Sequence, residues 1–298
     1  GDQVHALVDD LLRARSASRR EELIGALATL GEVALPALAQ AFPGPLEWQR
    51  EAGGRVPRAA AISGVAAALV SFGEAAAPYV AGLLSSAHPD VRFYAAVVAG
   101  EVLHPALMEA VVERVHDDDP GVRRLALALL PRLAALPGFD EHRALLRRTA
   151  RIRGKDPERR RRAVDALAAL GDGAMVPTLV ELLEDDDRGL RERLRRALVA
   201  LTATDLGRSA RRWRAWWDRH GERHRIEWLI DGLTHAEERV RRLAGDEVER
   251  LTREYFGYHP ASPKRERERI ARRYRRWWEQ EGRRRFVDGA SAGVKRTS

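Results

Sequence analysis

Residues 116–136 read HDDDPGVRRLALALLPRLAAL, an acidic turn followed by an apolar stretch. Asp119 stands where a carboxylate caps a helix N-terminus, and Pro120 suits the first helical position. The apolar residues that follow recur at helical spacing: Val122, Leu125, Ala126 and Leu129. The stretch therefore predicts a capped helix that packs one face on a core. Because an internal proline removes a backbone hydrogen bond, we expect Pro131 to kink this helix or end it early.

The same helix opening recurs along the chain. The arginines that open these helices are Arg58, Arg92, Arg123, Arg160, Arg191 and Arg241, at steps of 34, 31, 37, 31 and 50 residues. Steps in the thirties with two helices per step indicate a helical solenoid. Ala and Leu dominate the apolar content, and strand-like alternation of Val, Ile and Thr is missing. The predicted fold is all-α, a right-handed superhelical solenoid of helix pairs.

Three local predictions accompany this pattern. Ser18 is the expected N-cap of a helix that ends at Gly31, and Arg58 is expected to open one helix that continues to Phe72. Residues 42–57 are rich in Gly and Pro and predict a loop. Trp48 within that loop is expected to pack back on the body of the protein.

Two short motifs carry a family resemblance. Gly-x-x-Ala-x-Pro occurs at residues 31–36 and 73–78, and variants of Asp-Pro-x-Val-Arg occur at residues 88–92, 119–123 and 156–160. Over residues 18–250 the chain resembles the HEAT-repeat family, in particular the bacterial HEAT-like repeats also found in phycobilin lyases. The resemblance implies that the Asp-Pro-x-Val-Arg helices line the inner, concave side. It says little about function, since such repeats serve as scaffolds, inhibitors and a few enzymes.

The repeat pattern changes near residue 200. Leu-Thr at residues 201–202 and 251–252 is followed by Gly207 and Gly257 and then by an aromatic helix, so one motif occurs twice. The second copy has a longer polar insert at residues 258–269. We therefore predict a repeat solenoid over residues 1–200, two elaborated Trp-rich terminal repeats over residues 201–287 that continue it, and a disordered tail at residues 288–298.

Charge is distributed unevenly along the chain. Residues 1–187 hold 22 Lys and Arg against 27 Asp and Glu, a net charge of −5, whereas residues 188–298 hold 30 against 17, a net charge of +13. Such an asymmetry concerns partners rather than fold. No apolar run reaches the ~20 residues of a membrane span and no secretory leader is visible. We expect a cytoplasmic protein without a membrane span; since the sequence begins at Gly1, removal of an N-terminal segment stays open.

Two aromatic clusters lie at helical spacing. Their members are Trp213, Trp216 and Trp217 in the first, and Tyr274, Trp277 and Trp278 in the second. Arginines between them would suit a platform that stacks nucleic-acid bases. The other interpretation is that the aromatic rings dock the added helix on its repeat. We favour docking, because the whole motif is duplicated as a packing unit would be.

Arginines cluster at two successive copies of the helix opening, near residues 188–196 and 239–242. The candidate binding residues are Arg188, Arg191, Arg195, Arg196, Arg239, Arg241 and Arg242, preceded in sequence by residues 159–162. On a concave face they would form a basic strip able to neutralise phosphates or an acidic protein. Alternatively, the first arginine of each helix pairs with the acidic turns at residues 117–119 and 185–187. We expect such pairing for the first arginines and an acidic partner for the C-terminal excess.

Metal, cofactor and catalytic motifs are weak. His220 and His224 lack the His-Glu-x-x-His order of a zinc protease, and the aspartate turns lack the spacing of a calcium loop. Without cysteine there is neither a disulfide nor a thiol nucleophile. We therefore predict no metal, no cofactor and no catalytic residue. A DNA-glycosylase-like site would need Asp205 or Asp218 in a concave pocket beside tryptophan, which we do not expect.

The leading prediction is thus a non-catalytic scaffold that binds a protein partner along its concave groove. The alternative is a nucleic-acid-binding solenoid that uses its basic C-terminal third, with a DNA enzyme as one variant. A chromophore-attaching lyase is a third hypothesis and rests on the family resemblance alone.

Overall fold

The computed structural model describes residues 2–154 and 156–288, and over these residues the protein consists of helices and connecting turns without a strand. The chain packs as two compact units, Gly1–Arg148 and Thr149–Ser298. The predicted division near residue 200 follows the change in sequence pattern rather than this division in packing, and it stays a proposal. Of the predicted tail only Asp288 lies among the described residues.

The first unit is a succession of antiparallel helix pairs. Its helices are α1 (Asp2–Arg13), α2 (Ala17–Leu30), α3 (Leu35–Ala41), α4 (Ala59–Ile62), α5 (Gly64–Ser71), α6 (Ala77–Leu84), α7 (Pro89–Val102), α8 (Met108–Arg114) and α9 (Pro120–Ala134). Helix α10 (Asp140–Arg151) contains the point at which the two units divide.

The second unit continues the alternation of short and long helices. Its helices are α11 (Pro157–Ala169), α12 (Val176–Leu182), α13 (Arg188–Thr202), α14 (Ala210–His220), α15 (Arg225–Gly232), α16 (Glu238–Thr252) and α17 (Lys264–Trp277), followed by π-helical turns at Trp278–Gly282 and Arg284–Asp288. Helix α12 packs on α13 and α15 packs on α16. The predicted all-α fold of repeated helix pairs is confirmed.

The repeat motifs have a clear local function. In Gly-x-x-Ala-x-Pro, Gly31 and Gly73 adopt φ of 76° and 56°, which end one helix and open a 3-10 turn. Ala34 and Ala76 are fully buried where that turn meets the next helix. In the other motif, the Asp119 carboxylate accepts hydrogen bonds from the backbone N–H groups of Gly121 and Val122, as predicted.

Three local predictions were wrong at the level of single residues. Helix α2 is capped by Ser16, whose hydroxyl accepts from the Arg19 N–H group, rather than by Ser18. The helix expected from Arg58 to Phe72 is broken at Ser63, since the buried Ser63 hydroxyl caps a new start at α5. Helix α9 passes through Pro131 and ends at Ala134, so the alternative in which the proline ends the helix early is wrong. The buried Leu130 and Leu133 hold its last turn on the core.

Residues 42–57, which we call the strap, do form a loop, and Trp48 packs on α7 as predicted. The Trp48 ring stacks on Phe93 and meets Tyr94 edge-on, with centroids 6.3 and 6.5 Å apart. The strap's Arg50 donates to Asp119 at the start of α9 and also pairs with Asp90 at the start of α7. The strap therefore covers the N-terminal ends of both helices within the first unit.

The duplicated Leu-Thr motif ends a helix in the same way in both copies. Ala203 and Arg253 adopt left-handed φ of 50° and 61° directly after α13 and α16. The hydroxyl groups of Thr202 and Thr252 donate to the carbonyl oxygens of Leu198 and Val248. The chain then turns sharply enough for the aromatic helix to pack back on its own repeat.

By length and composition, the helical stretch Ala17–Ala41 is long and apolar enough to cross a membrane, and the bent pair Gly64–Ser71 and Gly73–Leu84 passes the same test if it counts as one span. The expectation that no stretch qualifies therefore needs correction for these regions. Leu27, Leu35 and Leu38 of the first stretch are fully buried in the first unit. Core helices of folded proteins share this composition.

Candidate binding surface on the second unit

The aromatic clusters belong to the core of the second unit. Trp213, Trp216, Trp277 and Trp278 are buried, and the Trp213 indole N–H donates to the Gly207 carbonyl over 2.9 Å. Tyr274 of the second copy is also buried; its hydroxyl donates to the Glu254 carbonyl, and burial raises its pKa to about 12. These contacts favour the docking interpretation, because the buried rings offer no face on which a base could stack. Trp217 is the exception, since it is partly buried and lines a cavity between α12 and α14.

Most opening arginines of the repeats serve the fold. The Arg92 guanidinium makes two hydrogen bonds to Asp117, and Arg160 donates to Asp185 and to the Ala150 carbonyl. Arg123 donates to the carbonyl groups of Asp117 and Asp118. The predicted pairing of first arginines with the acidic turns at residues 117–119 and 185–187 is thus seen in the geometry. The bonds from Arg160 to Asp185 and from Arg92 to Asp117 hold the pKa values of these two carboxyl groups below their ordinary value, although burial opposes ionisation.

The predicted binding arginines occupy different environments. Arg241 is buried and donates to the carbonyl groups of Pro260, His235 and Ala236, so its guanidinium is committed to the backbone. Arg242 pairs with Glu238 one turn away on its own helix. We therefore leave both residues out of the surface proposed below.

Arg195 and Arg239 share one carboxylate. Arg195 makes two hydrogen bonds to the buried Asp205, of 3.0 and 2.6 Å, and the Arg239 guanidinium lies 3.9 Å from the same group. The bonds from Arg195 hold the pKa of the Asp205 carboxyl below its ordinary value, against the opposing effect of burial. Asp205 is thus an ion-pair partner rather than an accessible acid, which argues against a glycosylase-like role.

Arg188, Arg191 and Arg196 differ from the others. Over the described residues, none of their guanidinium groups takes part in a hydrogen bond or ion pair. Arg188 and Arg196 are exposed, and Arg191 is partly buried with an Nε atom that has no acceptor. All three lie on α13, so this helix carries positive charge that its neighbours among the described residues do not neutralise.

Two cavities flank this helix. One of about 180 Å³ lies between α13 and α16, with an apolar floor of Val199, Val240 and Leu243. Its rim is polar and consists of Glu192, Arg195, Arg196 and Arg239. The other, of about 320 Å³, lies between α11 and α13 and is lined by Asp165, Ala168, Arg193, Arg196, Ala197 and Ala200. Arg196 lies between the two cavities.

We call this region of α11, α13 and α16 the arginine surface. It combines apolar floors with cationic rims, as in sites that take an apolar side chain next to a carboxylate. Sequence reasoning identified its arginines from their spacing. It did not find the floor residues, because Val199, Val240 and Leu243 are indistinguishable from ordinary core positions in the sequence.

The remaining nominated groups lie elsewhere. Asp218 is exposed beside the partly buried Trp217 at a cavity of about 240 Å³ between α12 and α14, away from the arginine surface. The His224 ring accepts from the Ile226 N–H group as a helix cap, and its burial lowers its pKa. Within residues 2–154 and 156–288, no group of three or more His, Asp or Glu side chains could hold a metal ion.

Among solved structures, this chain is similar to engineered and designed proteins. The chain is 18% identical to an engineered protein from a structural genomics consortium, over 91% of this chain and 77% of that one, with a TM-score of 0.39. It is 19% identical to a computationally designed armadillo repeat protein for modular peptide recognition, over 83% and 98% of the two chains, with a TM-score of 0.31. No protein-family model and no curated protein matches the sequence.

TM-scores of 0.39 and 0.31 are too low to support a conclusion about fold or function. The assignment therefore rests on the helices themselves: the protein is an all-α helical-repeat protein, with two-helix units that recur through both compact units.

Proposed function

We propose that the protein is a non-catalytic scaffold of HEAT type that binds a protein partner on the arginine surface. The observation that carries the proposal is Arg196, which lines two cavities and has no ion-pair partner over the described residues. Arg188 and Arg191 add two further unpaired guanidinium groups on the same helix. Carboxylates within this surface, Glu192, Asp165 and Glu158, pair with Arg195 and Arg193, so the surface presents separate cations rather than a continuous basic strip. A partner with separate acidic and apolar side chains suits this mixture better than a uniform polyanion.

A peptide display library selected on the full chain tests the proposal. Selection is done at about 0.15 M salt, where interactions beyond about 8 Å are screened. Selected peptides should bind the wild type and lose at least about tenfold in affinity on the Arg188→Glu, Arg191→Glu, Arg196→Glu triple variant, because each reversal turns attraction into repulsion. Arg124→Glu is the matched control, since Arg124 is an exposed arginine of the first unit. If no peptide is enriched, or if enriched peptides bind the triple variant equally well, the proposal is wrong.

A nucleic-acid-binding function remains the second candidate, because α17 carries a cationic stripe. Arg265, Arg269, Arg272 and Arg276 recur at helical spacing and are exposed, opposite the buried Ile270 and Tyr274. Such a stripe could follow a phosphate backbone, in keeping with the net charge of residues 188–298.

Titration of a labelled DNA duplex and a single strand at low and moderate salt separates the two functions. Submicromolar binding at moderate salt that is lost in Arg265→Glu, Arg272→Glu would establish the nucleic-acid function. Absence of binding at low salt would remove it.

A further inference from the structure

The repeats contain one arginine whose usual partners are missing. Arg92, Arg123, Arg160, Arg191 and Arg241 occupy equivalent positions, five residues into their helix-opening motifs. Four of them bind carbonyl or carboxylate oxygens. Arg191 binds none, and its Nε atom is buried without an acceptor. A guanidinium in this state favours an incoming carboxylate, because a buried donor without an acceptor is destabilising.

The sequence supplies the reason for this difference. Arg92 and Arg160 each reach an aspartate 25 residues later, Asp117 and Asp185, two residues before the next helix cap. The corresponding position before the α16 cap is His235, whose ring accepts from the Glu237 N–H group. Arg123 also lacks such an aspartate, because Gly154 stands two residues before the Asp156 cap, but it donates to the Asp117 and Asp118 carbonyl groups. Arg191 therefore lacks the aspartate without a replacement among the described residues.

Arg191 lies one helical turn before the rim of the α13–α16 cavity. It precedes Arg195, a rim residue, by four positions, so the two side chains emerge one turn apart on the same face of the helix. One helical turn rises about 5.4 Å. In an extended peptide, residues i and i+2 point to the same side and lie about 6.5–7 Å apart. The one-turn step from Arg191 to the rim residue Arg195 is thus close to the i, i+2 step of an extended chain.

The cavity also has the size of one side chain. Its volume is about 180 Å³, and its floor is formed by the buried Val199 and Val240 with the partly buried Leu243. A cavity of about 150 Å³ with an aliphatic and aromatic lining holds a benzene molecule. One leucine- to phenylalanine-sized group would therefore fill the space.

We infer that the α13–α16 cavity and Arg191 together bind an extended acidic segment of a partner protein, with a leucine-like side chain in the cavity and a carboxylate two residues away on Arg191. The inference rests on the proposed function and specifies its partner. Arg196 and Arg239 on the rim would attract further carboxylates of the same segment. Asp205 and Glu192 neutralise Arg195. Arg191 and Arg196 are therefore the cations that would select an acidic segment over a neutral one.

Two fluorescein-labelled heptapeptides of identical composition test the spacing. Gly-Asp-Ser-Leu-Ser-Asp-Gly places carboxylates two residues from leucine on both sides, and Gly-Ser-Asp-Leu-Asp-Ser-Gly places them adjacent. Titrations followed by anisotropy should show the first peptide binding at least about fivefold more tightly, since only it can pair with Arg191 while leucine is buried. Replacing its leucine by alanine should weaken binding by about tenfold.

Variants of the protein assign the contacts. Arg191→Gln should remove the preference for the first peptide, and Arg191→Lys should restore part of it. Leu243→Trp should block the cavity and weaken both leucine peptides, while the alanine peptide is unaffected. Arg124→Gln is the control, and thermal unfolding of each variant shows whether it has kept its fold.

The outcomes separate this inference from the proposed function. Equal affinity for the two heptapeptides, or full affinity in Leu243→Trp, would overturn the inference. If display-selected peptides still required the α13 arginines in that case, the proposed function would stand. No binding of either heptapeptide up to the millimolar range would also overturn the inference, whereas the display selection judges the proposed function on its own.

Discussion

The two units use the same helix opening and yet expose different faces. In the first unit, the strap brings Arg50 to Asp119, 2.9 Å away, and places its guanidinium over the Phe93 ring. In the second unit, Arg161 occupies the place of Phe93 and itself donates to Asp187, the counterpart of Asp119. The same capping carboxylate is thus satisfied by a distant loop in one unit and by the neighbouring helix in the other.

The difference shows where each unit is available to a ligand. A loop that supplies the arginine also covers the helix ends on which it lies. In the second unit the neighbouring helix supplies the arginine, so no covering loop is needed for this contact. The α13–α16 cavity of that unit is open. Unpaired charge is found there as well, since α13 has more arginines than the adjoining carboxylates neutralise. The predictions below test this contrast, from the largest expected effect to the smallest.

Trp213→Ala should have the largest effect, because the second unit relies on its buried aromatic helix. Trp213 is fully buried, and removing such a ring costs about 3–5 kcal/mol of unfolding free energy. Urea titration followed by circular dichroism measures the loss. Trp48→Ala in the partly exposed strap is the comparison and should cost clearly less. Equal losses would contradict the picture of a strap that covers rather than supports.

Asp205→Asn should cost about 1.5–3 kcal/mol at neutral pH, as a charge-assisted pair with Arg195 is lost. The folded-state pKa of Asp205 lies below its ordinary value of 3.8, so this stabilisation is complete above that value and disappears as the pH falls through the folded pKa. The difference in unfolding free energy between wild type and variant should therefore shrink below about pH 4. A difference that stays constant down to pH 2.5 would exclude this cause. Glu222→Gln, at an exposed carboxylate of the same unit, serves as the control.

Arg50→Gln should weaken the strap by about 1–2 kcal/mol, because Asp119 and Asp90 lose their shared cation. Hydrogen exchange of the strap and of the first turns of α7 and α9 should accelerate, and that of the second unit should not change. Arg55→Gln is the matched control, since Arg55 is an exposed arginine of the same loop. Unchanged exchange in the strap would show that Trp48 alone holds it.

Arg196→Gln should have almost no effect on stability, within about 0.5 kcal/mol, because this exposed arginine has no partner within residues 2–154 and 156–288. The same variant should weaken the binding of acidic peptides. Together, these two results would show that Arg196 contributes to ligand binding and not to stability. A loss of more than 1 kcal/mol in urea unfolding would show instead that Arg196 stabilises the fold.

Much of the fold could be predicted from local pattern. Asp119 and Pro120 mark a helix start, and Gly31 marks a helix end, because capping is a contact between residues close in sequence. The wrong predictions concern competition between similar local signals. Ser16 and Ser18 are both plausible caps, and Pro131 is a helix breaker by itself whose effect the packing of Leu130 and Leu133 outweighs.

The candidate surface could be predicted only in part. The positions of the arginines follow from helical spacing, but whether a guanidinium is free depends on acids far away in sequence. Arg160 finds Asp185 after 25 residues, whereas Arg241 turns to the backbone of residues 235, 236 and 260. No periodicity distinguishes these two outcomes.

The sequence by itself determined that this chain forms repeated helix pairs with duplicated aromatic additions, since caps, turns and apolar spacing act over a few residues. The tertiary structure alone decided that all the clustered aromatic rings except Trp217 are buried and that Arg241 belongs to the fold. It also decided that Arg188, Arg191 and Arg196 have no ion-pair partner among the described residues, and that Arg196 lines two cavities. The physical reason is that ion pairing and cavity formation depend on which distant side chains meet, and only packing brings them together.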